Sequence, residues 1–293
     1  MPKQRDWKLL ELLNETANYL KSKGFSNPRL DAELLLAHVL RLKRLDLYLQ
    51  FDRVLLPSEI DAYRDLIRKR LRHDPIQYII GETEFMGLRL AVDGSVLIPR
   101  PETEILVETV LSKLPNDNSL AIADIGTGSG AIAVSLAHSL KKASLYATDI
   151  SMEALAVARR NAEQNGVVER IVFLHGDLFG EFEDLGLEGA LDAVVSNPPY
   201  IRSDEMPHLP LEVREYEPSY GLDGGANGLS SYRRLIPESA TFLKPGGWLA
   251  VEIGEGQVPR VSEMIREVRA FESVQVVKDL NRVDRVLLTQ KIR

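Results

Sequence analysis

The 293-residue chain contains no cysteine. Disulfides, thiolate nucleophiles and cysteine-ligated zinc or iron–sulfur centres are therefore excluded. Histidine is also scarce. His38, His73, His138, His175 and His208 are scattered without metal-ligand spacing, so no metal is expected. No apolar run approaches the roughly 20 residues that span a bilayer, and residues 1–6 lead into no signal-peptide stretch. A cytoplasmic protein with no membrane partner is the expectation. Positive charge is in deficit, with a formal net charge of −7. Binding along DNA or RNA normally rests on a basic surface, so no direct nucleic-acid partner is expected, although a local basic patch stays compatible with this balance. The hydrophobic content of 44% is ordinary for a soluble protein and suffices for one large domain and a smaller one.

The pattern over residues 1–80 is helical. Trp7, Leu9, Leu10, Leu12, Leu13, Ala17 and Leu20 recur at helical spacing, with Gly24 as a stop. Asn27-Pro28 offers an N-cap followed by proline at the first helical position, and Pro57-Ser58-Glu59 opens a further helix that ends before Asp74-Pro75. These features predict a small helical domain. Residues 81–101 alternate loosely and are expected to form a β-hairpin connector. Pro101 then opens a helix through Ile105, Leu106, Val107 and Val110. Beyond it, apolar runs at 121–125, 144–148, 171–175, 191–196 and 248–253 read as strands, with helical runs at 131–140, 152–164 and 229–243 among them. This alternation predicts an α/β domain over residues 102–293, its mostly parallel sheet covered on both faces. Residues 274–277 and 285–288 flank a polar turn and are expected as an antiparallel hairpin at the sheet edge.

The candidate chemistry lies at the ends of predicted strands. The first strand runs into Asp124-Ile125-Gly126-Thr127-Gly128-Ser129-Gly130. Three glycines let the backbone turn sharply and let a ligand approach it, and the following helix points its N-terminus at the same place. A packing turn is the blander reading and is disfavoured directly after a first strand. Asp149 ends the second strand, where an acid binds a ribose diol; NAD and S-adenosylmethionine satisfy that equally, and Asp149 as a mere N-cap is less favoured because Ser151 can cap. Asp124 suits a ligand with an ammonium group better than one with a pyrophosphate. Asp177 and Leu178, after the third strand, could meet an adenine amino group and ring face, with a plain loop carboxylate equally acceptable for Asp177. The fourth strand ends in Asn197-Pro198-Pro199-Tyr200. Two prolines stop the ladder and stiffen the tip. The Asn197 side-chain oxygen and the Pro198 carbonyl can each accept one N–H of a planar NH₂ group, and Tyr200 can wall that group.

Three charged groups need a reading of their own. Arg68, Lys69, Arg70 and Arg72 are expected as a solvated helix face that complements the helix dipole, the sharper alternative being a patch for an acidic partner or RNA. Arg100 and Glu102 beside Pro101 are expected to pair with each other as capping residues, with a role in shaping the substrate entrance left open. Glu212, Arg214, Glu215 and Glu217 lie in a long loop after residue 200, which reads as a lid or as a plain solvated loop.

Together the glycine loop, the acid at the second strand and the Asn-Pro-Pro-Tyr tip resemble the class I S-adenosylmethionine-dependent methyltransferases that act on planar nitrogen. That tip occurs in adenine-N6 nucleic-acid methyltransferases and in protein glutamine methyltransferases alike, so it does not choose between them. Pro75-Ile76-Gln77-Tyr78-Ile79-Ile80-Gly81, Glu84-Phe85 and Leu97-Ile98-Pro99-Arg100-Pro101-Glu102-Thr103-Glu104 are similar to the protein-(glutamine-N5) methyltransferases of peptide chain release factors. So are the Asp31–Leu40 stretch, Glu217-Pro218, Leu222-Asp223-Gly224-Gly225 and Gly228-Leu229. The resemblance runs over nearly the whole chain. It implies a Rossmann-like sheet with S-adenosyl-L-methionine held by Gly126, Thr127, Gly128, Ser129, Gly130, Asp149, Asp177, Leu178 and Asn197. It implies catalysis by Asn197, Pro198 and Tyr200, with Asn197 to Tyr200 binding the substrate. The implied substrate is the glutamine of the Gly-Gly-Gln motif of class 1 release factors, recognised with help from the helical domain by a monomeric enzyme. The methyltransferase of a ribosomal-protein glutamine is the nearest alternative, and its connector differs from Pro-Arg-Pro-Glu-Thr-Glu. Some relatives carry tryptophan where this chain has Leu178, so the adenine wall here is aliphatic.

Overall fold

A computed structural model describes residues 6–115 and 118–293. Residues 1–5, which carry most of the stretch read above against a signal peptide, lie outside the described residues, as do 116–117. The elements in chain order are α1 (Leu9–Ser22), α2 (Pro28–Leu40), α3 (Asp46–Leu49), α4 (Pro57–Leu71), α5 (Ile76–Ile80), β1 (Glu82–Phe85), β2 (Leu88–Ala91), α6 (Pro101–Lys113), β3 (Ala121–Ile125), α7 (Ala131–Ser139), β4 (Ser144–Asp149) and α8 (Met152–Gln164). They continue with β5 (Ile171–His175), β6 (Leu191–Ser196), α9 (Leu211–Tyr216), α10 (Ser230–Phe242), β7 (Leu243–Glu252), α11 (Val258–Val268), β8 (Gln275–Lys278) and β9 (Asp284–Gln290). Among the described residues no helix is long and apolar enough to cross a membrane.

The chain divides into two compact units. One comprises residues 1–81 together with Leu211–Tyr216, the other Glu82–Pro210 and Glu217–Arg293. The small unit is helical. Leu13, Leu20, Leu35, Leu36 and Tyr63 bury its core, and the Tyr63 hydroxyl donates to the Ala32 carbonyl at 2.9 Å. Pro28 and Pro57 each stand at the start of their helix, where a missing N–H costs nothing. The Asn27 side chain, expected as an N-cap, makes no capping bond. The basic run on α4 departs further from expectation. Arg70 is buried, its Nε 2.8 Å from Asp31 Oδ2, its Nη1 2.7 Å from Glu212 Oε2, and its guanidinium 4.6 Å from the Phe25 ring. Burial of a guanidinium demands such partners; Arg68, Lys69 and Arg72 alone remain exposed. Glu212 comes from α9, so the long loop supplies a helix to this unit rather than lying in solvent.

The large unit holds a seven-stranded sheet in the order β5-β4-β3-β6-β7-β9-β8. Strands β3 to β7 are parallel, and β9 inserts antiparallel between β7 and β8. The expected class I methyltransferase sheet with its edge hairpin is what forms. Neighbouring strand residues point to opposite faces. Ile122, Leu145 and Val195 pack with α6 and α7, while Ala123, Ile125 and Val194 pack with α10 and α11. Helix α11, which the sequence reading left unassigned, covers Ile253 and Leu287 with Val261 and Ile265. The chain proceeds outward from β3 through β4 to β5, then returns to β6 on the other side of β3. Strand order reverses there, and the carboxyl ends of β3 and β6 open a crevice suited to a ligand. Ser196 Oγ donates to the Ile125 carbonyl at 2.7 Å and ties those two ends together.

The hairpin β1–β2 turns at Met86-Gly87, both with positive φ, as a tight right-twisted hairpin requires. Val96 to Ile98 follow it outside any strand, Val96 at a bend. Asn161 of α8 is fully buried and holds the hairpin in place. It accepts from the Ala91 N–H at 2.6 Å and donates to the carbonyls of Ala91 (3.0 Å) and Ser129 (2.8 Å).

Candidate active site

The glycine loop leaves β3 as anticipated. Gly126, Gly128 and Gly130 all take positive φ (73°, 55° and 79°). A side chain on Gly130 would also lie 3.0 Å from Ala158 Cβ, so α7 and α8 approach each other closely only because it has none. Asp124 is fully buried beneath the loop. Its Oδ2 accepts from Thr127 Oγ1 at 2.6 Å and from the Ala133 N–H at 3.0 Å. Oδ1 has no hydrogen-bond partner among the described residues. Burial, with Asp149 adding repulsion, pushes the Asp124 carboxyl up to about 7.

Asp149 ends β4 facing the loop. Its Oδ2 accepts from the Gly128 N–H at 2.8 Å and its Oδ1 from the Ser151 N–H at 2.9 Å. Burial nonetheless raises its pKa above the ordinary range. Ser151, not Asp149, caps α8, its Oγ accepting from the Ala154 N–H. A cavity of about 260 Å³ opens over these residues, near the lower end of small-molecule sites at roughly 300 Å³. Gly126, Gly128, Asp149, Asp177, Leu178 and Asn197 line it. Thr127, Ser129 and Gly130 do not; the Thr127 hydroxyl is committed to Asp124, and Ser129 is buried with its carbonyl on Asn161. Asp177 is exposed and pairs with Arg234 of α10 at 2.9 Å. Leu178 adopts a left-handed backbone, φ 55°, rare for a branched residue outside functional loops.

The Asn-Pro-Pro-Tyr lip is braced from behind. Asn197 Nδ2 donates to Thr103 Oγ1 at 3.1 Å, and that hydroxyl donates to Glu252 Oε2 at 2.7 Å. The Tyr200 hydroxyl reaches Glu252 Oε1 at 3.3 Å. Glu252 is buried at the end of β7, next to β6, and burial pushes its carboxyl up to about 7 despite the hydrogen bonds from Thr103 and Tyr200. Burial and Glu252 together hold the Tyr200 phenol protonated, its pKa well above ordinary. The chain beyond the lip folds back against it. Ile201 N–H donates to the Leu222 carbonyl, Gly224 N–H to the Ile201 carbonyl, and Gln257 Nε2 to the Tyr200 carbonyl. A Cβ on Gly224 would sit 2.8 Å from Pro199 O, and one on Gly228 would sit 2.4 Å from Tyr200 O. Those glycines are where the lip's backing must come close.

Sequence reasoning missed several contributors. Thr103 stands inside the Pro-Arg-Pro-Glu-Thr-Glu stretch, which assigns it no role, and Glu252 carries no local signal of a site. Ser95, Val96 and Leu97 of the connector line the cavity with Pro218 and Tyr220 from the long loop. Tyr220 donates to the Ser95 carbonyl at 2.8 Å. Glu217 is buried and binds the Ile98 N–H at 3.1 Å and the Arg100 guanidinium. Arg100 therefore pairs with Glu217 rather than with Glu102, correcting the expectation for the connector.

Known proteins sharpen this picture. The family described as PrmC N-terminal domain matches residues 11–81, and Methyltransferase small domain matches residues 102–209. The release factor glutamine methyltransferase of Geobacter sulfurreducens is 44% identical over 96% of each chain. The chain belongs to the release factor glutamine methyltransferases. The member of that family from Moorella thermoacetica is also 44% identical, over 97% of this chain and 98% of its own. Among solved structures, a methyltransferase from Pyrococcus furiosus superposes with a TM-score of 0.51 at 22% identity, covering 71% of this chain and 90% of that one, a likeness of fold. The two family matches fall on the helical region and on the glycine loop with its lip, the same stretches from which the resemblance was drawn.

Proposed function

We propose that the protein transfers a methyl group from S-adenosylmethionine to the side-chain amide nitrogen of glutamine in the Gly-Gly-Gln motif of class 1 peptide chain release factors. The observation that carries this reading is the braced lip. With Nδ2 of Asn197 directed to Thr103, Oδ1 is the atom left to meet a substrate N–H, and Asn197 itself lines the cavity. A second acceptor, the Pro198 carbonyl, stands one residue on. Two acceptors suit the two N–H donors of a planar NH₂ group.

The cavity residues fit S-adenosylmethionine. Asp149 retains acceptor capacity for a ribose diol, Ile150 and Leu178 offer apolar walls for a purine, and Gly126 and Gly128 present bare backbone with open space where a Cβ would stand. When bound, the cofactor supplies an electrophilic sulfonium methyl group. The protein's part is positioning. Asn197 Oδ1 and the Pro198 carbonyl orient the amide and favour the build-up of positive charge on its nitrogen, and Tyr200 walls it. Those two oxygens hold the N–H hydrogens while the N–C bond forms but are too weakly basic to keep a proton, so the one shed passes to bulk water. Gly126, Thr127, Gly128, Ser129, Gly130, Asp149, Asp177 and Leu178 form the cofactor side in this reading, Thr127, Ser129 and Gly130 acting through the shape of the loop.

The family relationship supports a release factor as the partner. The net charge of −7 supports a protein rather than a nucleic acid, and the reading takes the enzyme to be a cytoplasmic monomer. Purified protein with methyl-labelled cofactor is expected to label a release factor and to leave unlabelled a variant whose Gly-Gly-Gln glutamine is replaced. Label in nucleic acid, or none under saturating cofactor, overturns the reading.

A further inference from the structure

We infer that Thr103 and Glu252 form a polarity lock that decides which end of the Asn197 carboxamide faces the substrate. The inference rests on the proposed role of the lip and names the residues that make it work. A carboxamide has an acceptor end and a donor end of nearly the same shape, so sterics alone do not orient it. Only the acceptor end is useful against a substrate NH₂; the flipped amide would oppose donor to donor.

The lock follows from counting protons. Thr103 has one hydroxyl hydrogen. Ionised Glu252 can only accept, so that hydrogen is spent on Oε2, at 2.7 Å. The hydroxyl then has only lone pairs to offer Asn197, and only Nδ2 can face them, at 3.1 Å. Oδ1 is thereby turned away from Thr103. If Glu252 is protonated, its own O–H can donate to Thr103, the Thr103 hydrogen is released toward Asn197, and the flipped amide becomes acceptable. The chain of polarity runs Glu252, Thr103, Asn197, substrate.

The surroundings of Glu252 make this reversal reachable near neutral pH. Its carboxyl is buried and pushed up to about 7. The groups that face it are Glu102 and Thr103 on α6, Tyr200 on the lip, and Arg285 on β9, while Tyr232 on α10 donates to its backbone carbonyl at 2.7 Å. Arg285 favours the ionised form and Glu102 opposes it. Arg285 is largely occupied by Asp279, at 2.9 Å. Both are positioning residues, since Thr103 acts through Asn197 and Glu252 through Thr103 and Tyr200.

The test measures kcat, KM for a release factor and cofactor affinity against pH for wild type and for Thr103→Val, Thr103→Ser and Glu252→Gln. Thr103→Val is nearly isosteric but lacks the hydroxyl, and is expected to lose at least tenfold in kcat, with cofactor affinity and KM changed less than threefold. Thr103→Ser keeps the hydroxyl and should retain most of the rate. Wild-type kcat should fall on the acid side of about pH 7, and Glu252→Gln should be slow with that acid limb absent. The inference is overturned if Thr103→Val turns over normally, if Thr103→Ser is as slow as Thr103→Val, or if the acid limb persists in Glu252→Gln. An inactive wild type would instead refute the proposed function.

Discussion

Replacing Asp124 by Asn should flatten the pH dependence of folding in the large unit. The Asp124 carboxyl titrates at about 7 against 3.8 for the free group. The folded protein therefore holds this proton more tightly than the unfolded chain, and folding takes up a proton between about pH 4 and pH 7. Stability from this group is greatest below that window, declines as pH rises through it, and is constant above. From pH 5 to pH 8 the decline amounts to roughly 3 kcal/mol, at about 1.4 kcal/mol per pH unit up to the folded pKa. Asparagine can accept the Thr127 and Ala133 hydrogen bonds through its one oxygen, and its nitrogen takes the place of an oxygen that makes none. The variant thus carries an offset independent of pH while losing the titration. Glu252 titrates in the same direction and remains in both proteins, so only the difference between them isolates Asp124. The chain has two tryptophans, Trp7 in the helical unit and Trp248 in β7, so urea unfolding followed by Trp248 fluorescence in a Trp7→Phe background, without cofactor, reports on the right unit. The variant should gain stability relative to its parent by roughly 3 kcal/mol across that range. Parallel curves would show that Asp124 is ionised in the folded state and that its burial is compensated elsewhere.

Further outcomes follow from the site and the helical unit. Asn197→Ala removes one of two oriented acceptors and should lower kcat by about two orders of magnitude with cofactor affinity retained, measured by methyl transfer and by calorimetry. Gly228→Ala would bring a methyl group to 2.4 Å from Tyr200 O at a residue with φ 71°. It should slow kcat at least tenfold and cost about 1–2 kcal/mol, read from turnover and urea midpoints. Arg70→Ala leaves Asp31 buried without its partner and should destabilise the helical unit by roughly 3 kcal/mol, followed through Trp7 in a Trp248→Phe background.

Elements with a short repeat were legible from sequence. The strands β3, β5 and β6 and the helix α8 sit where apolar runs and periodicity place them. The glycine loop was legible because positive φ leaves a compositional mark. Strand β7 begins at Leu243, five residues before the run that announced it, because its start crosses a register irregularity beside Leu191 that breaks the pattern. The basic run on α4 misled for a different reason. Charge density predicts solvation, yet one residue of the four turns inward, and its partners Asp31 and Glu212 lie 39 and 142 positions away. Arg100 was matched with its neighbour Glu102 by proximity in sequence, whereas its partner Glu217 lies 117 positions on. Thr103 and Glu252, 149 positions apart, illustrate the general limit. A strand tip or loop leaves a mark in composition, whereas a contact between the first turn of one helix and the end of a distant strand leaves none, even where one partner, Thr103, stands in a recognisable motif.

The assignment of Leu211–Tyr216 to the helical unit bears on how this protein can be taken apart. A cut after Gly81 yields no independent module, because it strips Arg70 of Glu212 and removes the Tyr216 hydroxyl from the Arg72 carbonyl. The same hexapeptide cannot be grafted with the first 81 residues as one continuous insert. Exchanging the helical region among relatives therefore requires one crossover on each side of this helix as well as one at the connector. Recombination that ignores it joins a helical region from one parent to a sixth helix chosen for another.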